Sequence, residues 1–476
     1  MSAISAPLPS KPRKEKPKLD PIERAKSLKL LALGFGLCFI HLFWYGSPWT
    51  AWLALVCYAP LLSWLQTYSR HPFVAGVTFG YFYALMNVFW LAQFVGRWTD
   101  SVFVGAFVIF VIGGVWGCFY GFACWLRTKI GFLQSAIYFA ILLTAIELGR
   151  MNIPQLEFPF CPIGEPLVAY GSLAKSLQTV NYTMFMTLLV NSFLTIVNFK
   201  FIQSLKGDLP KFKKPVAIFG LCLIAALLLA SLDGKNPLKP LGVRVALGQL
   251  GTDLAYGDNR TEEMRVMEAG NDLIQQAVQQ KADLLIFPEG VTAFRTTPYT
   301  PFTLRPNLKV LFGAQRGTSP TYQSAFLWDG NGYRYTDKNR LVVFGEYVPF
   351  RGIIPYPSGF QLPSGDLAAG NERHVLEVKP GVTVGAMICF ESLFSSSAKD
   401  FDVLNASFLT IMSLDDWYMG TSAIPRLEIA ARWRAVETRK WIVRVGSLGK
   451  TMVIDPKGRV MAEIPTGERR LLVYDL

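Results

Sequence analysis

Histidine is nearly missing from this chain: His41, His71 and His374 are the only three in 476 residues. A zinc site has no ligand cluster to draw on. A Cys–His dyad in the C-terminal half would have to use His374, which stands in an ordinary polar stretch and reads as a surface histidine. Cysteine is almost as scarce there. Of seven cysteines, Cys38, Cys57, Cys118, Cys124 and Cys222 lie in or beside apolar runs, Cys161 lies in a proline-rich loop, and only Cys389 follows residue 241. That half cannot close an internal disulfide, so its one thiol is free. Acidic residues are few in the first half: residues 1–241 carry 21 Lys/Arg against 9 Asp/Glu, whereas residues 242–476 carry 26 against 25. The net charge of +13 therefore sits in a basic tail and in short loops between apolar runs. That is a pattern of membrane topology, not of a nucleic-acid face.

What is present begins with seven apolar runs, roughly 28–46, 48–67, 73–95, 102–126, 131–149, 180–200 and 215–232, each near the length that crosses a bilayer. The first is too long, and too closely followed by others, for a cleaved signal peptide. The tail bears Lys11, Arg13, Lys14, Lys16, Lys18, Arg24, Lys26 and Lys29, and Arg70, Arg127, Lys129, Lys200, Lys206, Lys211, Lys213 and Lys214 fall on the same side. Only Arg97, Arg150 and Lys175 fall opposite. This asymmetry predicts a cytoplasmic N-terminus, and seven crossings place residue 233 onward outside. The expected division is a basic tail over 1–27, a membrane unit over 28–232, a linker over 233–241 and an external domain over 242–476.

The longest outer connection, about 151–179, contains Pro154, Pro159, Pro162 and Pro166, which break any helix. Two readings stand: a re-entrant segment covered by protein, or a loop packed on helix ends. Glu147 and Arg150 end the fifth run at a spacing that lets them pair on one helix face.

Beyond the linker the texture changes. VRVALGQL (243–250) alternates like a strand, and the helical segment 259–279 places Met264, Met267, Ile274 and Val278 on one face. LLIFPEG (284–290) reads as a buried strand ending at Pro288-Glu289, and 324–342 as a hairpin around an Asp-Gly-Asn-Gly turn. VTVGAMICFES (382–392) is a buried strand with Cys389 at its end; 401–418 reads as another, followed by a helix near 426–440 and strands across the Asp455-Pro-Lys-Gly458 turn. Alternating strands and helices indicate an α/β layered domain.

Glu289, Lys338 and Cys389 lie at or just past the ends of such strands and would converge on one sheet edge. A thiol needs a base to become a strong nucleophile, and a fixed ammonium stabilises the oxyanion formed when it attacks a carbonyl. By residue type alone, an inert strand-end cysteine is the favoured reading. The surrounding segments add more. Phe287-Pro-Glu-Gly290, Lys338-Asn-Arg-Leu-Val-Val-Phe-Gly-Glu346 and Ile388-Cys-Phe-Glu391 resemble the elements of the nitrilase, or carbon–nitrogen hydrolase, superfamily, in the same order. Preceded by apolar runs, with Glu147-Leu-Gly-Arg150, Phe158-Pro-Phe160, Asp415-Asp-Trp-Tyr418 and Arg434-Ala-Val-Glu437, the chain resembles the apolipoprotein N-acyltransferase family over roughly residues 28–465. Leu414 and Ser447 replace asparagines, and Val343 a proline, that are usual in that family, whose members also commonly end with a further membrane helix where this chain has the strand-like LLVYDL.

The resemblance implies a multi-pass α-helical membrane domain followed by a nitrilase-like α-β-β-α sandwich. It implies transfer of an acyl chain from a membrane phospholipid to the N-terminal α-amine of a diacylglyceryl-cysteine lipoprotein, in ping-pong fashion through a Cys389 thioester, by a monomer of the bacterial inner membrane that needs no cofactor. Glu289 is then the base, Lys338 and the Phe390 N–H the oxyanion donors, and Glu346 the carboxylate that orients Lys338. Glu391 either lines the pocket or caps the next segment, and Trp417 and Tyr418 either meet lipid or pack in the core. A membrane-anchored amidase using the same Glu–Lys–Cys set is the competing enzyme reading. A transporter would keep polar groups or helix breaks at mid-bilayer, and few appear.

Overall fold

The computed structural model describes residues 21–45, 47–67, 71–99, 101–127, 129–130, 132–155, 157–204, 240–252, 254, 260–291, 302–353, 355 and 365–476. The apolar run 215–232 and residues 233–239 of the linker lie outside them. The first part is helical: α1 (Pro21–Phe43), α2 (Ala59–Thr67), α3 (Pro72–Val88), α4 (Trp90–Thr99), α5 (Val102–Arg127), α6 (Phe132–Asn152), α7 (Gly171–Leu177) and α8 (Val180–Ser204). Among the described residues, α1 and α5 are each long and apolar enough to cross a membrane, and the pair α3–α4, bent by 60°, makes a third if taken as one broken span. The run 48–67 differs from expectation. It opens as a short 3-10 turn at Ala51–Leu55 and only then forms the nine-residue α2. Glycines let α3 and α5 approach closely: a Cβ on Gly117 would lie 2.7 Å from the Val77 carbonyl oxygen, and one on Gly76 2.6 Å from that of Tyr120. Small residues serve this purpose where helices meet in lipid.

The second part is a four-layer sandwich. One sheet has the order β12-β1-β2-β3-β4-β5, from β1 (Arg244–Gln249), β2 (Leu284–Ile286), β3 (Lys309–Arg316), β4 (Tyr322–Trp328), β5 (Tyr333–Asp337) and β12 (Arg470–Asp475). The other has the order β11-β10-β9-β8-β7-β6, from β6 (Leu376–Lys379), β7 (Val382–Ile388), β8 (Phe408–Ser413), β9 (Ile442–Gly446), β10 (Thr451–Ile454) and β11 (Val460–Ile464). In each, three central strands run parallel and the outer ones antiparallel. Val245, Leu247, Ile286 and Leu311 of one sheet pack against Ala386, Ile388, Met412 and Val443 of the other. Helix α9 (Arg260–Gln279) covers the outer face of the first sheet, and α10 (Ser395–Val403) and α11 (Ala423–Thr438) cover the second.

Two local readings are corrected. The α9 face that meets the sheet is Val266, Ala269, Leu273, Ile274 and Ala277, whereas Met264 is 58% exposed and Met267 also faces solvent. Thioethers tolerate water, so a helix period read from methionines is easily rotated off the true buried stripe. Residues 401–418 are not one strand. They hold the end of α10, then β8, then a 3-10 turn at Asp415–Tyr418.

The two parts meet broadly. Ile424, Leu427, Ala430, Trp433 and Val436 of α11 share one apolar core with Tyr45, Phe160, Leu167-adjacent Val168 and Met184. Trp433 Nε1 donates to the Glu165 carbonyl at 2.7 Å, and Arg432 Nη2 to that of Val168 at 3.0 Å. The connection 151–179 therefore packs on the sandwich, a contact that neither sequence reading of it includes.

Candidate active site

Cys389 follows β7 directly and begins a 3-10 turn (Cys389–Leu393). Its φ of 49° lies in the left-handed region, which is costly for a residue with a Cβ. The turn is held from several directions, which is how such strain persists. Ser392 Oγ donates to the Cys389 carbonyl at 2.8 Å, and Arg434 Nη1 to that of Leu393 at 3.1 Å. Glu437, one turn beyond Arg434 on α11, accepts the Ser395 hydroxyl at 2.8 Å and the Val180 N–H of α8 at 3.0 Å.

Glu391 acts as a staple. Its Oε2 accepts the Ile388 N–H at 2.9 Å, and its Oε1 accepts the Asn339 N–H at 2.8 Å, the Arg340 N–H at 3.3 Å and Arg373 Nη2 at 3.0 Å. One buried carboxylate thus ties the backbone after Lys338 to the backbone before Cys389. Glu391 is not among the residues lining the cavity, and its carboxylate holds the preceding Ile388 and the distant 339–340 backbone instead of capping the next segment.

Lys338 follows β5 and is fully buried. Its Nζ lies 3.3 Å from Glu289 Oε1 and 2.7 Å from Glu346 Oε1, while Glu346 Oε2 accepts the Val342 N–H at 2.8 Å. Glu289 stands just past β2, beside β3, where Gly313 leaves room for it: a Cβ there would lie 2.7 Å from the Glu289 Cα. The three sequence-selected residues and Glu346 therefore come together, the Cys389 thiol lining the same cavity as the Glu289, Lys338 and Glu346 cluster. His374 stands apart, its backbone N–H bonded to Thr336.

The electrostatics follow from burial and proximity. Burial pushes the Glu289 carboxyl above its usual range, with Lys338 opposing and Glu346 adding to the rise. Burial would lower the Lys338 ammonium, but Glu289 and Glu346 outweigh it and hold the amine well above its ordinary value. Burial, then Glu289, pushes the Cys389 thiol up to about 12. A neutral thiol facing a carboxylate suits proton transfer at the moment of attack.

A cavity of about 360 Å³ opens onto this cluster. Glu289, Lys338, Glu346 and Cys389 form its polar end, and Val342, Leu367, Leu414, Trp417, Tyr418 and Phe94 of α4 supply apolar wall. Leu414 and Tyr418 thus lie where substrate would pass, and Phe94 stacks on Tyr418 with ring centroids 5.5 Å apart. Tyr418 is buried against aromatic neighbours, as the core reading has it, and it also lines the cavity.

One polar residue of the site, Ser413, has no place in the sequence reading. Ser413 Oγ lies 3.7 Å from Cys389 Sγ and donates to Asp415 Oδ1 at 2.7 Å, and Asp415 pairs with Arg444 at 2.7 Å. Ser413 ends a buried strand, the same signal that marks Cys389, but the strand boundary was obscured by the merged 401–418 segment. Ser447 hydrogen-bonds Asp416, whose other oxygen accepts the Leu254 N–H at 2.6 Å. Among the described residues no group of His, Cys, Asp and Glu is arranged to hold a metal ion.

A family model described as carbon-nitrogen hydrolase matches residues 244–476, and one described as apolipoprotein N-acyltransferase N-terminal domain matches residues 35–197. The chain is 26% identical to an apolipoprotein N-acyltransferase of Aquifex aeolicus over 362 residues, covering 72% of this chain and 76% of that one. It is 32% identical to one of Pseudomonas syringae pv. tomato over 216 residues, 40% of each. Among solved structures it is similar to Saccharomyces cerevisiae Nit3, a member of branch 10 of the nitrilase superfamily, at 18% identity and a TM-score of 0.38, covering 49% of this chain and 89% of that one.

Proposed function

Because the chain belongs to the apolipoprotein N-acyltransferase family and is an acyltransferase of lipoprotein N-acylation, we propose that it moves a phospholipid acyl chain to a lipoprotein α-amine by way of Cys389. The observation that carries this reading is the cavity shared by Cys389 and Phe94, which joins a reactive thiol to a helix of the membrane part. Glu289 takes the Cys389 proton as sulfur attacks the ester carbonyl, and a C–S bond forms. Lys338 and the Phe390 N–H stabilise the oxyanion. The ester C–O bond then breaks, and Glu289 returns the proton to the departing lysophospholipid. In the second half the free amine of a diacylglyceryl-cysteine attacks the thioester, its N–C bond forms as C–S breaks, and its proton passes through Glu289 to the sulfur. The cycle is ping-pong. Glu346 orients Lys338 in both halves, and the apolar wall limits water, favouring amine over hydrolysis.

The proposed setting is the bacterial inner membrane, with the N-terminus cytoplasmic, the sandwich on the outer side, and the protein working as a monomer. Two acyl-bearing partners confined to one bilayer explain why the reactive end opens beside the helices. The division at residues 27, 232 and 241 is proposed with it. The test is to incubate the purified protein in detergent with a phospholipid and a diacylated lipopeptide, and to follow masses. The reading expects one acyl chain added to the amine, an acylated Cys389 when the lipopeptide is left out, and neither product with Cys389→Ala. Free fatty acid without amide would favour a hydrolase, and transfer by Cys389→Ala would remove the assignment.

A further inference from the structure

A buried ion pair in the membrane part reaches toward the nucleophile through an unusual set of contacts. Arg150 ends α6 with Glu147 beside it, and its Nε and Nη2 both donate to Glu147 Oε2. Its Nη1 turns the other way and donates to two carbonyls, of Phe158 at 2.6 Å and of Phe160 at 2.9 Å. The Arg150 carbonyl in turn accepts the Phe158 N–H at 2.9 Å, and the guanidinium lies over the Trp116 ring at 4.4 Å. A single side chain therefore fixes the path of Phe158-Pro159-Phe160, a segment with no helix or strand of its own.

The segment is placed where it matters. The Phe160 ring is buried, with centroid distances of 5.0 Å to Trp90, 6.1 Å to Phe390 and 6.4 Å to Tyr418. Phe390 immediately follows the nucleophile, and Tyr418 lines its cavity. Trp90 begins α4, the helix that carries Phe94 into the same cavity. Phe160 thus backs the cavity wall from both parts of the molecule at once. Lysine keeps the charge of arginine but lacks the planar fork that can hold a carboxylate and two carbonyls together.

We propose that Arg150 is a positioning residue for acyl transfer, holding Phe160 as the wedge that sets Phe390 and Tyr418 against Cys389. The proposal rests on the reading of Cys389 as the acyl carrier. It assigns the Glu147–Arg150 pair a role beyond holding one helix together, through a path of contact and not through touch with substrate.

The experiment compares full-length wild type, Arg150→Lys, Phe160→Ala and the double variant in detergent. Two readouts are taken: steady-state acyl transfer, split into kcat and KM, and the rate at which iodoacetamide alkylates Cys389. Each single variant should lower kcat about tenfold to a hundredfold, the scale set by a displacement of about 1 Å at a reacting group. KM should change by less than about threefold, since substrate contacts that bind ground and transition state alike are left in place. The double variant should be no slower than the slower single one, because both remove the same wedge. Multiplying losses, or an Arg150→Lys protein with wild-type kcat, would overturn the proposal. If the wild type itself transfers no acyl chain, the Cys389 reading fails first; the alkylation rates then decide the positioning claim, which expects both single variants to differ from wild type in the same direction and the double to match them. Should Arg150→Lys fail to fold, Phe160→Ala at an unchanged kcat would overturn it alone.

Discussion

Replacing Glu391 with glutamine is nearly isosteric, yet it should damage both stability and rate. The carboxylate is fully buried and is used only as an acceptor: three backbone N–H groups and Arg373 converge on its two oxygens. An amide has one oxygen and one NH₂ group. If the NH₂ faces Ile388, one backbone donor is left opposite another donor; if it faces the other way, Asn339, Arg340 and Arg373 all lose their acceptor. The first arrangement is the cheaper. An unsatisfied buried donor costs about 1–3 kcal/mol, and a charge-assisted bond to arginine weakened to a neutral one loses roughly a further 1 kcal/mol. The expected destabilisation is thus about 2–4 kcal/mol. Arg373 keeps Asp400 as a second partner at 3.1 Å, which limits the loss. Guanidinium unfolding of the full chain in detergent, followed by tryptophan fluorescence, measures the change. Acyl transfer at a temperature where the variant stays folded should also fall by about a hundredfold, because the staple sets the distance between Lys338 and Cys389. A Glu391→Gln protein within about 0.5 kcal/mol of wild type and with an unchanged kcat would refute the reasoning, since changes of that size are ordinary for exposed positions.

In the proposed mechanism Glu289 must be ionised to accept the thiol proton, and burial raises its carboxyl above the ordinary range. Activity should therefore fall on the acid side at a higher pH than an exposed glutamate would give, which a kcat/KM profile reads directly. Lys338 stays charged through the alkaline range, so no loss of activity near pH 9–10 should arise from it. With its thiol pushed up to about 12, Cys389 of the wild type should be alkylated slowly at neutral pH, the rate still climbing where an ordinary thiol has levelled off. A plateau near pH 9 would contradict the described environment. Gly313→Ala should push a Cβ against the Glu289 Cα and cost about 1–3 kcal/mol in overpacking, together with most of the activity. A stable and fully active Gly313→Ala protein would show that β3 yields more easily than its packing suggests.

Several features were legible in the residues because they are local. Alternation in 243–250 and the apolar run of 382–388 became β1 and β7, and the Asp-Gly-Asn-Gly turn lies between β4 and β5. The carboxylate, ammonium and thiol found at strand ends do converge. Strand β3 has no place in the sequence reading, although Lys309–Arg316 is buried through its middle and sits under Glu289. Periodicity gives helix α9 its length but not its inward face, and apolar content alone makes the strand in 401–418 too long. Runs of apolar residues fix that a segment is buried; they do not fix which neighbour buries it.

The sequence by itself determined the division into an apolar, basic first part and a neutral α/β second part, and the chemical types at the reactive end. Composition and short-range periodicity are properties of adjacent residues, and they survive without knowledge of the fold. Only the tertiary structure decided that Glu391 binds the turn after Lys338, that Ser413 approaches Cys389, and that Arg150 grips the segment bearing Phe160. Those partners lie on different elements, Glu391 and Asn339 being 52 positions apart. Their meeting depends on strand register, on the bend between α3 and α4, and on how α11 seats against the helices. A buried polar group must find a partner or lose free energy, but the sequence does not say which partner, because that choice is made by the packing of the whole chain.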